Sequence, residues 1–144
     1  MEPIVTEVLR CDFLEPASWL FFSNNVPSIV YFTHMPTIVL STLLAIFIIF
    51  QKPRLLQHHI LFWTVISFVT WVVFAQMFWA TNRADVIMFA WLIDILVEPL
   101  VHIGILYLSF VLLLKRDAPL YLKLLLLLIY LPIAIFLPTP LTLQ

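Results

Sequence analysis

Four long stretches with few charged side chains constrain this chain more than any other feature. The first of them, residues 28–50, contains no Asp, Glu, Lys or Arg. A helix needs about 20 mainly apolar residues to cross the ~30 Å hydrocarbon core of a bilayer, because each residue rises ~1.5 Å. The stretches that meet this length predict four spans, over about 28–50, 60–79, 86–114 and 120–137.

The composition indicates that lipid, rather than water, is the solvent for most of these side chains. Hydrophobic residues make up 64% of the chain and charged residues only 10%, whereas a soluble domain carries about 25% charged residues. No stretch alternates apolar and polar residues as a membrane-barrel strand would. The sequence therefore predicts an all-α fold, a polytopic membrane helical bundle.

The chain divides into a short leader and a membrane region. Residues 1–27 mix acidic side chains with Ile, Val and Leu, and aromatic residues follow at Trp19, Phe21 and Phe22. This pattern predicts an extracytoplasmic leader at the membrane interface, with a partly disordered tail as the open alternative. Residues 28–144 form the predicted four-helix transmembrane region.

The placement of lysine and arginine predicts the orientation of the spans. Lys52 and Arg54 follow the first span, and Lys115 and Arg116 follow the third. Short loops that are rich in Lys and Arg stay on the cytoplasmic side of a membrane. We therefore expect a multi-pass protein of the cytoplasmic (inner) membrane, with both the N-terminus and the C-terminus outside.

Several classes of function are not expected for this chain. Its net charge of -1 gives no electrostatic basis for binding nucleic acid. Cys11 is the only cysteine, and the sequence shows no metal-ligand cluster or nucleophile–base pair, so neither a metal site nor catalysis is expected. His34 and His102 both lie in predicted spans but differ in estimated depth by about one turn. No haem or other cofactor is therefore expected.

Three ionisable residues in the third span form the most informative motif. Asp94, Glu98 and His102 recur every fourth residue and so share one side of a helix. An ionisable group at the centre of a membrane helix costs roughly 2.5–3.5 kcal/mol, so such groups are expected to face the bundle interior or a hydrated cavity. Pro99 follows Glu98 and removes a backbone donor, which favours a kink beside the stripe. This polar stripe is the candidate functional site.

Two other polar residues in the spans are possible partners for the stripe, namely His34 in the first span and Gln76 in the second. If the stripe pairs with these residues, its role is to hold neighbouring helices together in one register. The alternative roles are ligand or proton sensing, and the transport of an ion.

Four segments carry a family resemblance. They are LFFSNNVPSIVYFTHMPT (residues 20–37), FWTVISFVTWVVFAQMFWATN (62–82), IMFAWLIDILVEPLVHIGILYLSFVLLLKRDAP (87–119) and LPIAIFLPTPL (131–141). In this order they resemble the N-terminal seven-transmembrane sensor region of certain bacterial histidine kinases. The resemblance implies a sensory membrane module that signals to a cytoplasmic kinase. It covers the first four of the seven spans and none of the kinase core, phosphoacceptor histidine or nucleotide-binding motifs.

The leading functional hypothesis is a sensor-type membrane module for signal transduction, without catalysis of its own. The expected partners are the lipid bilayer and either further copies of the chain or a kinase domain that is absent from it. The alternatives are a small stand-alone membrane protein that transports an ion or solute as an oligomer, and a membrane scaffold subunit. Under this hypothesis the chain is either a fragment of a larger kinase or a short stand-alone relative.

Overall fold

The computed structural model describes residues 21–23, 26–51, 55–81 and 83–137. Of these residues 86% are helical and none forms a β-ladder, so the predicted all-α fold is confirmed. The four helices are α1 (Ser28–Phe50), α2 (Leu56–Ala80), α3 (Ala84–Leu114) and α4 (Leu120–Phe136). Most of the predicted leader, residues 1–20, lies outside the described ranges.

Three of the four helices are long and apolar enough to cross a membrane. These are α1, α2 and α3, whereas α4 is apolar but has only 17 residues. The helix α2 begins before the predicted span because Leu55 donates its backbone N–H to Nδ1 of His58, at 3.3 Å. The first turn of α2 contains the polar residues Gln57 and His58, so the hydropathy of the sequence does not show where this helix begins.

The helices follow one another as antiparallel neighbours, and α2 lies between α1 and α3. Short connections between helices favour this arrangement. Near one end of the α2–α3 pair, the rings of Phe74 and Phe89 meet edge to face with their centroids 6.1 Å apart. Further along the same pair, Thr64 of α2 lies against Gly104 of α3.

The apolar surface of the molecule faces outward, which is the reverse of a water-soluble protein. Phe32 is 76% exposed, Phe50 78% and Leu113 82%, whereas the small side chains of Ala45 and Ala90 are buried between helices. Small residues allow helix backbones to approach closely in membranes, where packing rather than the hydrophobic effect holds helices together. The architecture is compatible with a multi-pass membrane protein.

Two exposed tryptophans lie on α2, one about two turns after its start at Leu56 and the other next to its end at Ala80. Trp63 and Trp79 are 65% and 54% exposed, and 16 residues of helix place them about 24 Å apart. Tryptophan is enriched where a membrane helix meets the headgroup layers. Their spacing is compatible with one ring near each headgroup layer of a bilayer.

The helix α4 rests on the last part of α3. Its Leu122 and Leu126 pack against Ile103 and Phe110 of α3. In the connection between the helices, Asp117 accepts hydrogen bonds from the Tyr107 hydroxyl and from Nζ of Lys123, both at 2.5 Å. These two hydrogen bonds hold the pKa of Asp117 below its ordinary value, and the bond from Lys123 has the larger effect. We call these three polar residues the α4 clamp.

Candidate functional site

The polar stripe lies in the middle of α3. Glu98 is about 21 Å from the start of this helix at Ala84 and about 24 Å from its end at Leu114. Asp94 and His102 each lie about 6 Å away along the axis, one on either side of Glu98. When α3 is centred in a bilayer, all three residues fall within the ~15 Å half-thickness of the hydrocarbon core.

The three side chains nevertheless do not point in one direction. Each α-helical residue turns by about 100°, so a step of four residues advances by about 40°, and the stripe turns by about 80° from Asp94 to His102. Asp94 is partly buried, whereas Glu98 and His102 are exposed on the surface of the chain. Within one chain, Asp94 is therefore the stripe residue that is turned towards the bundle, while this drift around the helix brings Glu98 and His102 to the surface.

Asp94 faces α2, where the indole N–H of Trp71, a hydrogen-bond donor, lies near its carboxyl group. Its Oδ1 atom is buried and has no hydrogen-bond partner among the described residues. A buried acceptor without a partner costs free energy comparable to a lost hydrogen bond. Asp94 is thus the member of the stripe that the fold itself encloses.

His102 is attached to its own helix by one ring nitrogen. Nδ1 lies 3.0 Å from the backbone carbonyl oxygen of Glu98. Because a carbonyl oxygen can only accept a hydrogen bond, Nδ1 carries the proton in this contact. The other ring nitrogen, Nε2, is then an acceptor when the ring is neutral and a donor when the ring is charged. Together with the Glu98 carboxylate, it gives the exposed part of the stripe two polar groups that can form hydrogen bonds.

The two predicted partners of the stripe make their hydrogen bonds elsewhere. Nδ1 of His34 lies 3.0 Å from the carbonyl oxygen of Val30 on the same helix. Gln76 is completely buried, and its Nε2 donates to the carbonyl oxygen of Phe21 at 3.2 Å. Gln76 therefore joins the end of α2 to the segment that precedes α1, and neither bond includes a residue of the stripe.

With this geometry in view, the chain was compared with known proteins. No protein-family model, curated protein or solved structure matches it. The resemblance to a kinase sensor region therefore stays a prediction.

A metal ion is not indicated at the stripe. Within the described ranges, no group of three His, Cys, Asp or Glu side chains could hold a metal ion. Glu98 and His102 could provide two ligands at most, while Asp94 is turned towards Trp71 of α2. The chemistry that these residues offer is hydrogen bonding and proton exchange.

Sequence reasoning missed the close contact between α2 and α3. A Cβ atom added at Gly104 would lie 3.0 Å from Cβ and 3.1 Å from Cγ2 of Thr64, and closer still to its Oγ1. That hydroxyl is fixed, because it donates to the carbonyl oxygen of Ile60 at 2.8 Å. A single glycine within a long apolar helix was the signal that could have revealed this contact.

Proposed function

We propose that this chain is a sensor-type module of the cytoplasmic membrane, which takes part in signal transduction and has no catalytic activity of its own. The observation that supports the proposal is the exposure of Glu98 and His102 in the middle of α3. Around them the surface of the helix is apolar, with Ile105 and Leu106 about half exposed. Two proton-exchanging groups thus lie on a surface that otherwise suits lipid.

Such groups need a polar partner when they lie at membrane depth. Each ionisable side chain that faces lipid at a helix centre costs roughly 2.5–3.5 kcal/mol. A second membrane helix that covers Glu98 and His102 removes much of this cost by hydrogen bonding. We therefore infer that this part of α3 is an assembly surface, and that its partner is a second copy of the chain or a membrane subunit that bears a kinase.

The same two residues supply a means of switching. A hydrogen bond between Glu98 and a partner depends on where the proton lies, and His102 responds in the same way through Nε2. Pro99 lies between them and lacks the N–H that would bond to the preceding turn, which makes α3 easier to bend at this point. A change of protonation or of bound ligand would then shift the population of two helix arrangements.

An oligomeric transporter is the second candidate, and Asp94 is the observation in its favour. Its unpartnered Oδ1 lies one turn from Glu98, so the two carboxyl groups could belong to one polar path. A path for ions requires polar groups on several helices. His34 of α1 and Gln76 of α2 make their hydrogen bonds away from the stripe, and the group that α2 brings to Asp94 is the indole of Trp71.

Site-directed photo-crosslinking in native membranes tests the proposal. A photoreactive side chain at Ile105, one turn from His102, should capture a membrane partner. The same group at Phe32, which is exposed on α1, serves as the matched control and should capture lipid instead. Glu98→Gln combined with His102→Gln should lower capture at Ile105 at least several-fold.

The phosphorylation state of the kinase separates signalling from the alternatives. Under the sensor hypothesis, Glu98→Gln changes the phosphorylation level of a kinase. When the captured partner is a kinase subunit, that subunit is measured. When the captured partner is a second copy of the chain, the kinase that depends on this pair is measured. Lost capture with unchanged phosphorylation would identify a scaffold subunit. Ion flux in liposomes that contain the purified chain, abolished by Glu98→Gln, would contradict the sensor hypothesis and establish a transporter.

A further inference from the structure

A groove lies where the first turn of α2 meets the end of α3. Its cavity volume is about 460 Å³. Leu56, Val111 and Leu112 line its apolar part, and Val111 is buried there while the two leucines are about half exposed. A groove of this kind, open at the surface of the molecule and lined in this part by aliphatic side chains, suits an acyl chain.

The mouth of the same groove is polar and carries two adjacent cations. Lys115 and Arg116 line it together with Gln57, and both cations are exposed. Lys115 ends α3 in the left-handed conformation, with φ 50° and ψ 29°. Many helices end next to a left-handed residue, because the turn that it makes lets backbone N–H groups bond to the last carbonyl oxygens of the helix. Two consecutive cations therefore lie at the edge of one groove.

The positive charge at the mouth is not cancelled by the neighbouring acid. Asp117 also lines the groove, but its carboxylate is bonded to Lys123 and Tyr107 in the α4 clamp. The ion pairs formed by the described residues include neither Lys115 nor Arg116. The groove thus combines an apolar interior with a cationic mouth that has no partner in the described part of the chain.

We propose that this groove binds an anionic phospholipid, with the phosphate at Lys115 and Arg116 and an acyl chain along Leu112. Basic pockets between membrane helices are suited to acidic lipid headgroups. A guanidinium group such as that of Arg116 can also form two parallel hydrogen bonds to one phosphate. The proposal does not depend on the proposed function, because it concerns the other end of α3 and uses no residue of the polar stripe.

Charge substitutions give the first arm of the test. The full-length chain is purified in a neutral detergent, and binding of phosphatidylglycerol and of phosphatidylcholine is measured by native mass spectrometry. We expect preferential binding of phosphatidylglycerol, weakened about fivefold by Lys115→Gln or Arg116→Gln, as follows from the loss of one cation near an anionic lipid. Arg83→Gln removes an exposed cation at the opposite end of α3 and should leave binding unchanged.

Steric substitutions give the second arm. Leu112→Trp fills the groove and should weaken phosphatidylglycerol binding, although every charge is retained. Leu113→Trp changes the neighbouring residue, which is 82% exposed and does not line the groove, and should bind as the unmodified chain does. Circular dichroism and gel filtration identify those variants that retain the helical fold.

A third arm distinguishes a lipid from a free anion. Glycerol phosphate at the same concentration should not displace phosphatidylglycerol, because it lacks the acyl chains that the groove would hold. Displacement by glycerol phosphate would overturn the proposal in favour of a simple anion site. Equal effects of Arg83→Gln and Arg116→Gln, or an unchanged affinity in folded Leu112→Trp, would also overturn it.

Discussion

At the scale of single residues, small differences in direction decide which groups the fold encloses. Asp94 and Glu98 are only one turn apart, yet Asp94 faces Trp71 of α2 while Glu98 is exposed. Similarly, Gly104 lets α3 approach Thr64 more closely than any larger residue would allow. Both cases depend on side-chain geometry at one position and not on the average hydropathy of the helix.

The contact between Gly104 and Thr64 leads to a prediction about stability. Gly104→Ala should lower the free energy of unfolding by about 1–3 kcal/mol, because the added methyl group overpacks the helix interface. Thermal unfolding in detergent, monitored by circular dichroism, measures the loss.

A double-mutant cycle with Thr64→Ala tests whether this contact is the cause. The second substitution removes Oγ1 and Cγ2 of Thr64, so the double variant should be more stable than the sum of the two single effects implies. Ser109→Ala, at an exposed position on the same helix, should change stability by less than about 0.5 kcal/mol. Strictly additive effects of Gly104→Ala and Thr64→Ala would show that the methyl group does not meet Thr64.

At the scale of helices, α4 is held by fewer contacts than the others. It packs against α3 through Leu122 and Leu126. The α4 clamp and a hydrogen bond from the Tyr130 hydroxyl to the Leu96 carbonyl oxygen, at 3.3 Å, add polar contacts. The α4 clamp lies at the end of α3, where an aspartate can exchange protons with water. The docking of α4 should therefore depend on pH.

The direction of this dependence follows from the lowered pKa of Asp117 in the folded chain. A carboxyl group with a lowered pKa stabilises the fold at pH values above its ordinary pKa, and the contribution is lost as the pH falls through the lowered value. We expect the distance between spin labels at Ser109→Cys and Leu125→Cys, in a Cys11→Ser background, to be well defined at neutral pH. In acid, the distribution of this distance should broaden.

Substitutions separate this effect from general acid unfolding. Asp117→Asn should broaden the distance distribution already at neutral pH. Asp85→Asn removes a comparably exposed carboxylate, paired with Arg83 at the opposite end of α3, and should leave the distribution unchanged. A narrow distribution in the Asp117→Asn variant would show that the α4 clamp does not hold α4.

The sequence predicted the helices well because each is a long apolar stretch that ends near polar, charged or proline residues. The predicted span 28–50 matches α1 at both ends. The helix α2 begins four residues before its predicted start, because the side chain of His58 in its first turn accepts a hydrogen bond from the backbone N–H of Leu55. The candidate site was predicted less completely. Hydropathy shows that Glu98 needs a partner, but it does not show whether that partner belongs to the same chain.

At the scale of the whole molecule, Arg83 and Arg116 lie at opposite ends of α3, because one precedes the helix and the other follows it. Because Lys and Arg are concentrated in the connections after α1 and α3, we predict that Arg116 faces the cytoplasm and Arg83 the outside. In a Cys11→Ser background, a membrane-impermeant maleimide should label Arg83→Cys in intact cells. It should label Arg116→Cys only after permeabilisation, and the reverse pattern would contradict the predicted orientation.

The unequal lengths of two neighbouring helices have a consequence for the surrounding bilayer. The 17 residues of α4 extend over about 26 Å, whereas the 31 residues of α3 beside it extend over about 46 Å. In a bilayer that both helices cross, a ~30 Å hydrocarbon layer is thicker than α4 and thinner than α3, so lipid would thin beside α4 while α3 tilts or protrudes. Each ångström of such mismatch costs a fraction of a kcal/mol, and the two neighbouring helices then favour opposite changes in local bilayer thickness.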